Sequence, residues 1–132
     1  MLPSIAELID QLTVNQIKEV LLPEKKEIIA EEIRKIINDI DLILSEREVK
    51  ITARLLRIVI VIAQMNVHIW YNKDEMVKDE NRYLELLKLA HQLNGIRNQM
   101  KNLLLDETGD RIMGARKTNF NTDGLHGWDI SL

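Results

Sequence analysis

The chain has no cysteine among its 132 residues. That excludes disulfides, thiol nucleophiles and any Cys-ligated zinc site. It has no basic surplus either: 18 Lys and Arg stand against 21 Asp and Glu, so a surface that binds nucleic acid by neutralising phosphates is not expected. Long hydrophobic runs are missing. The longest nearly unbroken one, Ile58 to Ala63, falls well short of the roughly 18 residues of a membrane span. Met1-Leu2-Pro3-Ser4-Ile5 lacks the basic region and apolar stretch of a signal peptide. A cytoplasmic protein with no nucleic-acid or membrane partner is the expectation. Proline occurs only at positions 3 and 23 and aromatic residues number five, so helices can run long and the core must be aliphatic. There is no Gly-rich phosphate loop, no Gly-x-Ser-x-Gly and no Glu-x-x-His. The three histidines, His68, His91 and His126, have no Glu or His at ligand spacing. No metal or other cofactor is therefore expected, and a non-enzymatic role is favoured over an enzyme.

Apolar residues make up 45 % of the chain, enough for one domain to bury a core. Ser4-Ile5-Ala6-Glu7 reads as a capping box, in which the Ser4 hydroxyl and the Glu7 carboxylate each accept from an orphan N–H of the first turn. The apolar stripe Ile5, Leu8, Ile9, Leu12 and Val20 continues this first helix until Pro23 stops it near Leu22. Pro23 then suits the opening of a second helix, whose stripe is Ile29, Ile33, Ile36, Ile37, Ile40 and Leu44. Ser45-Glu46-Arg47-Glu48 matches the capping pattern again, marking a new helix or a kink. A third helix follows from about Glu46 to Lys78, roughly 50 Å at 1.5 Å per residue. Its β-branched stretch Ile58-Val59-Ile60-Val61-Ile62 suits a strand, yet no second strand exists to pair with it. The fourth helix starts after a turn near Asp79 and keeps Leu86, Leu89, Leu93, Ile96, Met100 and Leu103 on one face.

Four of the five glycines lie at or beyond Gly109, so the end of the chain reads as an irregular tail. It still carries Ile112, Met113, Phe120, Leu125, Trp128 and Ile130, which implies docking. The expected architecture is all-α: an antiparallel bundle of about four helices over residues 1–108, then a Gly-rich tail over 109–132. Between Leu55 and Val67 the third helix is apolar except at Arg57, Gln64 and Asn66, more than the three positions in seven a bundle helix needs. The surplus predicts cover by a second copy, hence a homo-oligomer, or a central place in a monomer.

Polar residues beside the apolar seam are the candidates for function. Ala90, Asn94, Arg97 and Lys101 share a stripe at the core's edge. An amide, a guanidinium and an ammonium on successive turns suit a phosphate or carboxylate. The same cations also suit neighbouring carboxylates such as Asp10. Asn66, Trp70 and Asp74, four residues apart, share a face on the third helix. There a tryptophan stacks on a base or sugar, or serves as a core aromatic. His68 falls on a stripe with Lys50, Arg54, Arg57 and Gln64 expected to face solvent. Gly95, inside the fourth helix, costs about 1 kcal/mol relative to alanine.

Ser4 to Thr13 with Ile17-Lys18, then Asn66…Ile69-Trp70…Asp74, then Asn94…Arg97…Lys101 together resemble a group of small helical bacterial and phage proteins. Ser4-Ile5-Ala6-Glu7-Leu8-Ile9-Asp10-Gln11-Leu12-Thr13 with Ile17-Lys18 resembles their opening, Ser-Ile-Gly-Glu-Leu-Ile-Asp-Lys-Leu-Thr. Asn66…Ile69-Trp70…Asp74 and Asn94…Arg97…Lys101 resemble two later signatures. Ala6 stands where the group has glycine, and Lys73 where it has glutamate. The resemblance implies that Asp10, Lys18, Asn66, Trp70, Asp74, Asn94, Arg97 and Lys101 form one set at one end of a bundle. Two readings follow. In the first, the protein is a binding module for a small anionic ligand such as a nucleotide or sugar phosphate: Arg97 and Lys101 hold the anion, Asn66 and Asn94 orient it, Trp70 stacks on it, and Asp10 and Lys18 complete the site. In the second, it is a structural or regulatory interaction module with no small ligand, in which the same set locks helix register.

Overall fold

A computed structural model describes residues 3–109, 128 and 130–132. Four α-helices make up nearly all of it: α1 (Ile5–Leu21), α2 (Lys26–Glu46), α3 (Ala53–Lys78) and α4 (Tyr83–Glu107), with single 3₁₀ turns at Pro23–Lys25 and Glu80–Arg82. No strand occurs among the described residues. The run Ile58 to Ile62 is helical, because tertiary burial overrides β-propensity.

α1 begins where its capping box sets it, with the Ser4 hydroxyl accepting from the Glu7 N–H at 3.1 Å. The second such box does not act as a cap. α2 continues through Ser45 and Glu46 and closes in a Schellman motif: the Glu48 N–H donates to the Ser45 carbonyl and the Val49 N–H to the Leu44 carbonyl. Glu48 sits there with φ of 52°, a left-handed position that usually takes glycine. α3 therefore starts at Ala53 rather than near Glu46, on the hydroxyl of Thr52, which accepts from the Leu55 N–H at 3.1 Å.

α3 and α4 form an antiparallel pair pinned at both ends. Arg54 Nε meets Glu107 Oε1 at 2.8 Å near one end, and the buried Asn72 amide donates to the Leu86 carbonyl at 2.8 Å near the other. α1 packs across this pair, and its Ile5 and Leu8 join Ile58, Ile62 and Met65 of α3 and Leu93 and Leu104 of α4 as the most deeply buried side chains. α2 stands apart: among the described residues its backbone comes close to α1 and to no other helix. It buries Ile29, Ile36 and Ile43, spaced seven apart, so a single stripe serves its single neighbour.

Of the tail, Trp128 and Ile130 pack on the core cluster. The Trp128 ring meets His68 edge-on with centroids 4.8 Å apart, and Arg57 Nη2 donates to Ser131 Oγ at 3.4 Å. His68 is thus half-buried under an aromatic ring, where its stripe of charged neighbours suggested solvent. Ile112, Met113, Phe120 and Leu125, and the rest of the irregular tail expected there, lie outside the described residues.

Candidate functional site

Three helices converge on one side chain, Asn66, near the middle of α3. Being on the seam side it is 3 % exposed, and every polar atom it buries needs a partner. Its Nδ2 donates to Asp10 Oδ1 at 2.8 Å and to Thr13 Oγ1 at 2.7 Å, both on α1, and its Oδ1 accepts from Arg97 Nη1 of α4 at 2.9 Å. The Thr13 hydroxyl hands its own hydrogen to the Asp10 carbonyl at 2.8 Å. Two acceptors on one side and a cationic donor on the other fix the amide in one orientation.

Lys101 extends the network one turn along α4. Its ammonium lies 3.2 Å from Asp10 Oδ2 and 2.9 Å from Glu7 Oε1, with only 5 % of the side chain exposed. Asp10 thus spends one oxygen on Asn66 and the other on Lys101. Glu7, Asp10 and Thr13 reach the same place because residues three apart on α1 share a side. Lys101 meets two carboxylates, Glu7 and Asp10, and the Arg97 guanidinium is joined to them through the Asn66 amide, so two cations and two carboxylates leave the cluster formally neutral. A buried ammonium is tolerable under that condition and not otherwise.

The eight residues grouped by resemblance are thereby sorted. Asp10, Asn66, Arg97 and Lys101 meet. Asn94 lies one turn from Arg97 on the same stripe, and its buried Oδ1, like the buried Arg97 Nε, has no partner among the described residues. Trp70, one turn beyond Asn66, is half-buried and makes no hydrogen bond among the described residues. Asp74 is exposed and paired with Lys78 at 2.9 Å. That hydrogen bond and the carboxylate's charge raise the Lys78 pKa above its ordinary value. Its contribution is present below the ordinary lysine pKa and disappears only in strong alkali, and for so exposed a pair it is small. Lys18 is elsewhere, in a groove between α1 and α2.

Sequence patterns did not single out Thr13 or Glu7 as members of the cluster, although their i, i+3 spacing with Asp10 carried the signal. Asn72 was also missed, being one polar residue among the last turns of α3.

α3 has a second notable property. By length and composition it is apolar enough to cross a membrane, with a mean hydropathy of 1.3 over its most apolar 18 residues, a feature that the central helix of a soluble bundle shares. On its outer side Leu56, Ile60, Val67 and Tyr71 are 53, 62, 37 and 53 % exposed. At 100° per residue these four fall within about 60° of one another, a single stripe along the helix. Comparison with protein-family models, with curated proteins and with solved structures finds no match.

Proposed function

We propose that this chain is a non-enzymatic helical assembly module, one that pairs with a second copy of itself along the outer stripe of α3. The observation that carries the reading is the symmetry of that stripe. Leu56 and Tyr71 are equidistant from the midpoint between Ala63 and Gln64, and so are Ile60 and Val67. Two copies of α3 laid antiparallel about that midpoint set Leu56 against the partner's Tyr71 and Ile60 against the partner's Val67. Such self-complementarity is what a two-fold, isologous interface requires. Ala63 is the small residue at the centre, where the backbones approach most closely. On this reading Asp10, Asn66, Arg97 and Lys101 act as a register lock: their hydrogen bonds tie α1, α3 and α4 together, and they present α3 to its partner at a fixed rotation.

Ile60→Glu tests the interface. A charge in the middle of an apolar contact costs several kcal/mol when buried and almost nothing when exposed. The variant is expected to sediment as a monomer with unchanged helicity, and the wild type as a dimer at micromolar concentration. With no native cysteine, Ala63→Cys supplies the sole thiol and should cross-link with itself on oxidation, since the proposed axis brings the two Cα atoms within disulfide reach. A wild type that stays monomeric, or that partitions into lipid vesicles through the same stripe, overturns the reading.

One observation favours the alternative, a site for a small anion: the buried Arg97 Nε, a cationic donor that no described group meets. Arg97→Ala separates the two. As part of a lock, Arg97 holds Asn66 Oδ1, and its loss should destabilise folding by about 1–3 kcal/mol in a urea titration. As an anion ligand, its loss should abolish stabilisation by nucleotides or sugar phosphates and leave the free protein's melting temperature in place.

A further inference from the structure

One cavity lies away from the polar lock, between α1 and α2. It has a volume of about 520 Å³, within the ~300–1,000 Å³ common for small-ligand sites. Leu8 and Ile36 give it an apolar floor, and Lys18, Glu32, Lys35 and Asp39 stand around it. Among the described residues none of these four makes an ion pair or a side-chain hydrogen bond. This contrasts with the interior, where the Lys101 ammonium meets two carboxylates. Two unpaired cations and two unpaired anions around one groove repel a bare anion as much as a bare cation. They suit a molecule that carries both signs.

A second, independent observation comes from Asn15, which lines the same groove and is 8 % exposed. Its Nδ2 donates to the Gln11 carbonyl at 2.9 Å, which orients the amide and leaves Oδ1 as a buried acceptor with no donor among the described residues. Burying an unmet acceptor costs stability, and such exceptions concentrate where function needs them. A ligand N–H meets the requirement.

We propose that the α1–α2 groove binds a zwitterion bearing one ammonium and one carboxylate, either a free α-amino acid or a short peptide. The carboxylate meets Lys18 or Lys35, the ammonium meets Glu32 or Asp39, and an N–H of the ligand donates to Asn15 Oδ1. The apolar floor takes the side chain. The inference is independent of self-association through α3, which uses a different helix.

Calorimetric titration of the full chain tests it, with leucine, glutamine, methionine and glycylglycine as probes beside the N-acetyl and the carboxamide form of each. At least one zwitterion is expected to bind saturably. Its N-acetyl form, an anion, and its carboxamide form, a cation, should each bind about tenfold or more weakly, the loss expected for one charge-assisted hydrogen bond. Free amino acid against dipeptide decides between the two sources of the same chemistry. Asn15→Leu should weaken binding by a similar factor while the unliganded protein melts no lower than the wild type, because the substitution removes an unmet acceptor. Lys35→Glu, at an exposed position, should turn the preference toward the carboxamides. The proposal is overturned if no probe binds, if capped and uncapped forms bind alike, or if Asn15→Leu binds as the wild type does.

Discussion

Asp10→Ala is expected to destabilise the fold by about 3–5 kcal/mol, the loss typical of breaking a buried charge pair from one side. The substitution removes at once the carboxylate that Lys101 faces at 3.2 Å and the acceptor that Asn66 reaches at 2.8 Å. Lys101 keeps Glu7, which lowers the loss toward the bottom of that range. A domain of this size has only about 5–15 kcal/mol in total, so the urea midpoint should fall steeply with an unchanged slope. The informative companion is the double variant Asp10→Ala with Lys101→Met. Removing both charges leaves no buried ion uncompensated, and much of the loss should return. A single-variant loss below about 1 kcal/mol, the size of a solvent-exposed pair, would mean that water screens the cluster and that it does not lock the helices.

Ile62→Ala should cost about 2–5 kcal/mol, as large-to-small changes in a packed core do, because Ile62 is wholly buried between α3 and its neighbours. Ile60→Ala, the same change two residues away, should cost the monomer no more than about 0.5 kcal/mol, since that side chain is 62 % exposed. Chemical denaturation at low protein concentration, where self-association does not contribute, reads both. Equal losses at the two positions would mean that α3 is rotated from the orientation described, and the stripe of Leu56, Ile60, Val67 and Tyr71 would disappear with it.

The helices were legible in the sequence because each combines a 3.6-residue apolar period with a local stop signal. Ser4 and Pro23 act through atoms within one turn of themselves, so their effect needs no knowledge of the fold. Ser45 and Glu48 failed as a cap because the pattern competes with what surrounds it. The α2 stripe runs on to Leu44, and the chain beyond closes its carbonyls by a left-handed turn at Glu48, which no local pattern predicts for a glutamate. The start of α3 fell to Thr52 instead.

The lock was partly legible. Arg97 and Lys101 lie on a stripe beside the seam, and a lysine there needs a carboxylate, so Asp10 stood out as a partner. That Asn66 binds both its neighbours was not legible, because it depends on how α1 crosses the α3–α4 pair. Lys18 shows the limit plainly. It follows Asp10 on the same helix by eight residues, yet the turn of the helix aims it at α2 and into a different cleft. The groove it lines is made of two helices that sequence periodicity treats one at a time.

Among the described residues α2 leans on a single helix, α1, and this gives the bundle an uneven mechanical character. Prising α2 away breaks one interface and leaves the other three helices and their ionic cluster in place, whereas displacing α3 breaks its packing against both α1 and α4. Partial opening therefore begins at the first hairpin, at a free-energy cost well below that of global unfolding. The cleft between α1 and α2 is bounded on one side by this less supported helix. Whatever enters it gains access through the fold's most compliant joint and, once seated, stiffens it.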